Sequence, residues 1–190
     1  RMNFLEEAYE AVDALDLDDP VLMCEELGDV LMQVAFHTCM EQETGRFTWE
    51  QVCDGVCQKL IERHPNIFGT QPGYEGITDW DALKNKEKGR RTLADDLESV
   101  PRAMPALMRA AKLQKRAARH GAALQGADAA ALADAAENLQ TAQPASAQAE
   151  QAVGELLFAA ANLARQAGVD PEQALQKANE AFCTAAGPVA

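Results

Sequence analysis

The sequence predicts an all-α protein arranged as two tandem helical bundles, the second a degenerate copy of the first. Three observations carry this expectation. Apolar residues recur at helical spacing, as in Phe4, Leu5, Ala8, Ala11, Val12 and Leu15. Two acidic blocks of identical spacing, Glu6-Glu7-Ala8-Tyr9-Glu10 and Glu25-Glu26-Leu27-Gly28-Asp29, lie inside such periodic stretches. The order of features in the first half then returns in an alanine-rich second half.

Residues 3–16 read as the first helix, broken by Asp16-Leu17-Asp18-Asp19-Pro20 because proline disfavours helix in the residue before it. A second helix is expected over 21–43, with Leu22, Leu27, Val30, Leu31, Val34, Ala35 and Met40 facing a core. The short connection makes the two antiparallel neighbours. Gly28 interrupts a strong helical pattern, and either a close helix crossing or room for a ligand would explain it. Thr48 is a candidate N-cap for a third helix that Pro65 stops, with His64 as a terminal capping residue. Gly, Pro and Tyr mark 69–78 as a loop suited to contacting substrate, and Lys84 to Arg91 is a charged, solvated helix end. Residues 93–121 read as a turn and a helix ending at Gly121, a connector between a first domain over 1–92 and a second over 122–190.

The 190 residues are enough for one ordinary domain or two small ones, and the formal net charge is −13. That charge argues against a general nucleic-acid or membrane-surface binder. Five cysteines form no metal-site or disulfide-framework spacing, so free, partly buried thiols in a reducing compartment are expected. The longest apolar run, Val30 to Phe36, is too short to span a bilayer, and no signal-peptide pattern is apparent. A soluble, cytoplasmic protein is expected.

On a helix, positions i, i+1 and i+4 fall within about a third of the circumference, so each acidic block aims its carboxylates one way. If the two helices pack side by side, the acids meet across one cleft and repel, which favours a compensating cation. Oxygen-only ligands select Mg²⁺ or Mn²⁺ over zinc. The alternative reading is two solvated helix faces. Lys59 and Arg63 share a face one turn apart, suited to a phosphate chain or simply to the solvent. Trp80 and Lys84 share another, suited to a base and a phosphate, although Trp80 also reads as core packing.

In the second half, Gly154-Glu155-Leu156-Leu157-Phe158 pairs with Gly28-Asp29-Val30-Leu31-Met32, and Gln176-Lys177 with Gln58-Lys59. The acids are mostly gone: Glu25 and Glu26 become Gln151 and Ala152, and Ala136-Glu137-Asn138-Leu139-Gln140 stands for the first block. Arg63 maps to Ala181. The second copy is therefore expected to be structural, serving packing or dimerisation.

Taken together, Glu6 to Glu10, Glu26 with Asp29, Leu60 to Gly69, Trp80 with Lys84, Pro105 to Ala110 and Ala174 to Glu180 resemble the MazG family of all-α nucleoside triphosphate pyrophosphohydrolases. The resemblance runs over nearly the whole chain and includes the tandem arrangement. It implies that Glu7, Glu10, Glu26 and Asp29 ligate Mg²⁺, with Mn²⁺ as a substitute, and that Lys59, Arg63, Trp80 and Lys84 bind the nucleotide. The implied reaction is NTP plus water to NMP plus pyrophosphate, clearing the nucleotide pool. Glu6 is the candidate outer carboxylate that orients or deprotonates the attacking water. Because tandem members can carry the better-equipped catalyst downstream, the lost acids here put any activity in the first half. A homodimer is expected, since helix pairs of this kind complete a four-helix bundle through a partner. A catalytically inactive nucleotide-sensing or scaffolding module is the alternative.

Overall fold

A computed structural model describes residues 1–68, 89 and 92–187. All regular structure among them is helical, and the chain divides into two compact units, Arg1–Leu83 and Lys84–Ala190.

The first unit opens with α1 (Met2–Leu17) and α2 (Pro20–Glu43), joined by two residues. Asp18 takes the left-handed conformation with φ 53°, which Asp tolerates better than most residues, and its N–H bonds to Leu15 O. Asp19 then caps α2 by accepting from the Val21 and Leu22 amides at 2.9 and 3.2 Å, and Pro20 occupies the first helical position, where its missing N–H costs nothing. This tight turn lays α2 antiparallel against α1. α3 (Trp49–Arg63) begins at Thr48, whose hydroxyl accepts from the Gln51 amide while the Gln51 side chain accepts from Thr48 N–H. It packs on α2 and ends at His64, whose N–H and ring Nδ1 both approach Leu60 O. The short α4 (Pro65–Phe68) follows.

Inside this hairpin the packed surface is small. Ala11, Ala14 and Thr38 are buried, and Phe4 on α1 meets His37 on α2 with ring centroids 6.1 Å apart. The expected core stripe of α2 is only partly covered: Val30, Val34 and Ala35 are half-buried, but Leu27, Leu31 and Met40 are each about half exposed. Two helices and a flanking third cannot enclose stripes wider than their mutual seam, so the rest faces outward. The cysteines also depart from expectation, for all five are exposed and none is in a disulfide.

The second unit comprises α5 (Leu93–Glu98), α6 (Ala106–Arg119), α7 (Ala129–Thr141), α8 (Ala147–Gln166) and α9 (Pro171–Ala186). Asp128, Ser146 and Asp170 cap α7, α8 and α9. α8 is central, contacting α6, α7 and α9. The 93–121 stretch, read from the sequence as a connector, contributes α5 and α6 to this unit, with α6 packing along α8. Its core is built from small side chains, with Ala117, Ala127, Ala135, Ala152, Ala159 and Ala161 buried beside Val100.

Where apolar volume is small, polar bonds fix the packing. Asn162 donates to Ala127 O at 2.6 Å and Gln114 to Phe158 O at 2.7 Å. The Arg116 guanidinium ties α6 to α5: Nη1 lies 2.9 Å from Asp96 Oδ1, donates to Asp96 O and reaches Ser99 Oγ. His120 Nε2 lies 3.3 Å from the other Asp96 oxygen. Arg116 and Asp96 are both buried, so neither can exchange its partner for water. Arg116→Met should destabilise the second unit by about 3 kcal/mol or more in urea unfolding, because it strands the Asp96 carboxylate.

No helix among the described residues is long and apolar enough to cross a membrane.

Candidate functional site

The buried face of α1 runs through Ala14 and Ala11, and one turn further toward the N-terminus the same face carries Glu7. On α2, the half-buried stripe Leu22, Glu26, Asp29, Gln33 follows i, i+4, i+7 spacing. Acids thus occupy core positions of the seam. The antiparallel hairpin brings them together: one carboxylate oxygen from each of Glu7, Glu26 and Asp29 lies within 4.8 Å of the others.

Burial and charge both act on Glu26. Partial desolvation pushes its pKa above the ordinary glutamate value, and the carboxylates of Glu10, Glu25, Asp29 and Glu7 push it the same way. Glu10 is the strongest of these charges, although its own side chain is exposed. Gln33 moderates the cluster by donating from Nε2 to Glu7 Oε1 at 3.3 Å. Sequence reasoning missed Gln33, yet its spacing of four from Asp29 and seven from Glu26 marks it as sharing their face.

The other expected residues are distributed around this cluster. Glu6 lies next to it in sequence but is exposed and outside the three-carboxylate group. Lys59 and Arg63 sit one turn apart at the end of α3, Lys59 exposed and Arg63 half-buried. Trp80 and Lys84 lie outside the described residues. Gly28, between Glu26 and Asp29, is not explained by a close helix crossing, since a Cβ added there would meet nothing within 4 Å. The space at Gly28 itself is open to solvent.

A hard divalent cation fits this donor set. Magnesium binds oxygens at about 2.1 Å, so opposite ligands stand roughly 4.2 Å apart, and the 4.8 Å envelope of Glu7, Glu26 and Asp29 needs only a small side-chain adjustment to match. The donors are carboxylates alone, with no thiolate or imidazole to favour zinc.

The fold and site together define an all-α protein whose acidic cluster is carried by an antiparallel helix hairpin. Residues 1–68 match the MazG nucleotide pyrophosphohydrolase domain. A protein of Escherichia coli K12 named nucleoside triphosphate pyrophosphohydrolase is 39% identical over 187 residues, covering 94% of this chain and 71% of the relative. One of Thermotoga maritima, named nucleoside triphosphate pyrophosphohydrolase/pyrophosphatase MazG, is 38% identical over 180 residues, covering 94% and 69%. A nucleoside triphosphate pyrophosphohydrolase of Mycobacterium tuberculosis is 36% identical over 125 residues, covering 64% and 38%. The chain belongs to the MazG nucleotide pyrophosphohydrolase family.

Two stability measurements test the site's physics. With its pKa raised, Glu26 is more readily protonated folded than unfolded, so its charged form opposes folding above the folded pKa and that opposition fades as pH falls through it. In the cation-free protein this opposition should be lost, raising the melting temperature, as the pH falls from neutral toward the ordinary glutamate range. Glu26→Gln should melt higher at neutral pH and lose that increment. Gly28→Ala should stabilise the cation-free protein by up to about 1 kcal/mol, since the added methyl enters open space and improves helix propensity.

Proposed function

We propose that the first unit hydrolyses nucleoside triphosphates to a nucleoside monophosphate and pyrophosphate, in a Mg²⁺-dependent reaction that clears the nucleotide pool. The observation that carries this reading is the convergence of Glu7, Glu26 and Asp29 oxygens within 4.8 Å on the hairpin of a family member. In this reading Glu7, Glu10, Glu26 and Asp29 hold the cation, with Mn²⁺ able to substitute. When bound, the cation neutralises phosphate oxygens and lowers the pKa of a coordinated water.

The chain's own residues supply the rest. Lys59 and Arg63 draw the negatively charged phosphate chain toward the hairpin, Arg63 offering a planar fork of donors and Lys59 a point charge. Trp80 and Lys84, outside the described residues, are assigned to the nucleotide by the family resemblance alone. Water attacks the α-phosphorus, the bond from that phosphorus to the α–β bridging oxygen breaks, and the pyrophosphate leaves with that oxygen. Glu6, exposed beside the cluster, takes the proton of the attacking water. Gln33 holds the Glu7 carboxylate in place through its 3.3 Å hydrogen bond.

We propose further that the working form is a homodimer. Leu27 and Leu31, one turn apart on α2, are each about half exposed, and a second hairpin covering this apolar strip would complete a four-helix bundle. The second unit is read as the degenerate copy. Ala152, which pairs with Glu26 in the repeat, is buried, so a packing methyl stands where the first unit has a charge.

Pyrophosphate release from a panel of NTPs and dNTPs, with and without Mg²⁺, is the direct test. Glu7→Gln and Asp29→Asn should each lower the rate about 100-fold or more with the helical content unchanged. Undiminished activity in either variant would overturn the ligand assignment. Leu31→Glu should convert the dimer to a monomer in size-exclusion chromatography and lower activity with it.

A further inference from the structure

The second unit holds a cavity of about 540 Å³ between α6, α8 and α9, distinct from the acidic hairpin. Its walls are aliphatic and aromatic: Leu107 and Leu113 from α6, Leu157 and Phe158 from α8, Leu175 from α9. Gly154 leaves part of the α8 wall as bare backbone, and a Cβ there would meet nothing within 4 Å. The polar groups that line it with charge are two arginines, Arg102 and Arg109.

Arg109 makes this more than an apolar groove. Its Nε is buried and has no hydrogen-bond partner, which is costly for a charged donor. Glu172 on α9 also has a buried oxygen without a partner, yet no ion pair joins the two side chains. In a protein of net charge −13, a pair of guanidinium groups beside an apolar cavity is a local attractor for an anion.

We infer that this cavity binds a small amphiphilic anion, a molecule with an apolar body and a carboxylate head. The volume lies within the usual range for small-molecule sites. Leucines and Phe158 accept the body, and Arg109, with Arg102 nearer the solvent, supplies donors to the head. A nucleotide suits the cavity poorly, because its base and sugar would need hydrogen-bonding partners that leucine walls lack.

Decanoate and decanol, the same chain with and without the charge, separate the two halves of the inference. Titrated into the full chain below the micellar range and followed by calorimetry and amide NMR shifts, decanoate should bind with shifts in α6, α8 and α9. Decanol should bind at least about tenfold more weakly. Arg109→Gln should weaken decanoate about tenfold or more while leaving decanol unchanged, and Leu157→Asp should abolish both. If Arg109→Gln does not fold, Arg102→Gln should still weaken decanoate selectively. Equal affinity for the two ligands, arginine variants that bind decanoate as wild type does, shifts confined to α1 and α2, or no binding at millimolar decanoate would each overturn the inference.

Discussion

Close contact between α1 and α2 is the interaction on which the site depends. Ala11 and Ala14 present only methyl groups to the seam, and both are buried, so the two backbones approach closely. A face that tight cannot stop abruptly at Ala11. The next position along it, Glu7, is carried against α2, where Glu26 and Asp29 occupy the matching stripe. Side chains that would otherwise be solvated are half-buried and crowded, and the raised pKa of Glu26 is the electrostatic trace of that crowding. The hairpin therefore holds a strained charge distribution that a cation or a proton relieves.

The second unit builds its hairpin seam without acids. Helices α7 and α8 form another tightly packed hairpin, with Ala135, Ala152, Ala159 and Ala161 buried along it. The seam closes on alanine, and directional bonds such as Asn162 to Ala127 O and the Arg116–Asp96 pair fix the packing. The first unit has few such bonds and leaves much of its apolar surface outside. One unit invests its packing in internal order, the other leaves its surface available for association.

Membership of the MazG family gives this contrast a functional sense. Phosphoryl chemistry on a strongly acidic protein needs something to reconcile carboxylates with phosphates, and in the proposed reading a cation held by the hairpin would do so. Lys59 and Arg63 at the end of α3 add a small cationic counterpart on the helix that packs against α2.

Much of this was determined by the sequence alone. Helical periodicity located α1, α2 and α3 to within a residue or so, and the cap at Thr48 was legible because capping depends on residues only three apart. The spacing of the paired acidic blocks showed that each block aims its carboxylates one way, since side chains three or four apart on a helix share a face, whereas which carboxylates converge, Glu7 with Glu26 and Asp29, depends on how α1 meets α2. Tertiary structure decided the rest. It selected Gln33 as the partner of Glu7 across 26 residues, assigned 93–121 to the second unit, left the α2 stripe half open and opened a cavity beside Arg109. None of these follows from local pattern, because each depends on which surfaces of separate helices meet, and periodicity specifies a face without specifying its neighbour.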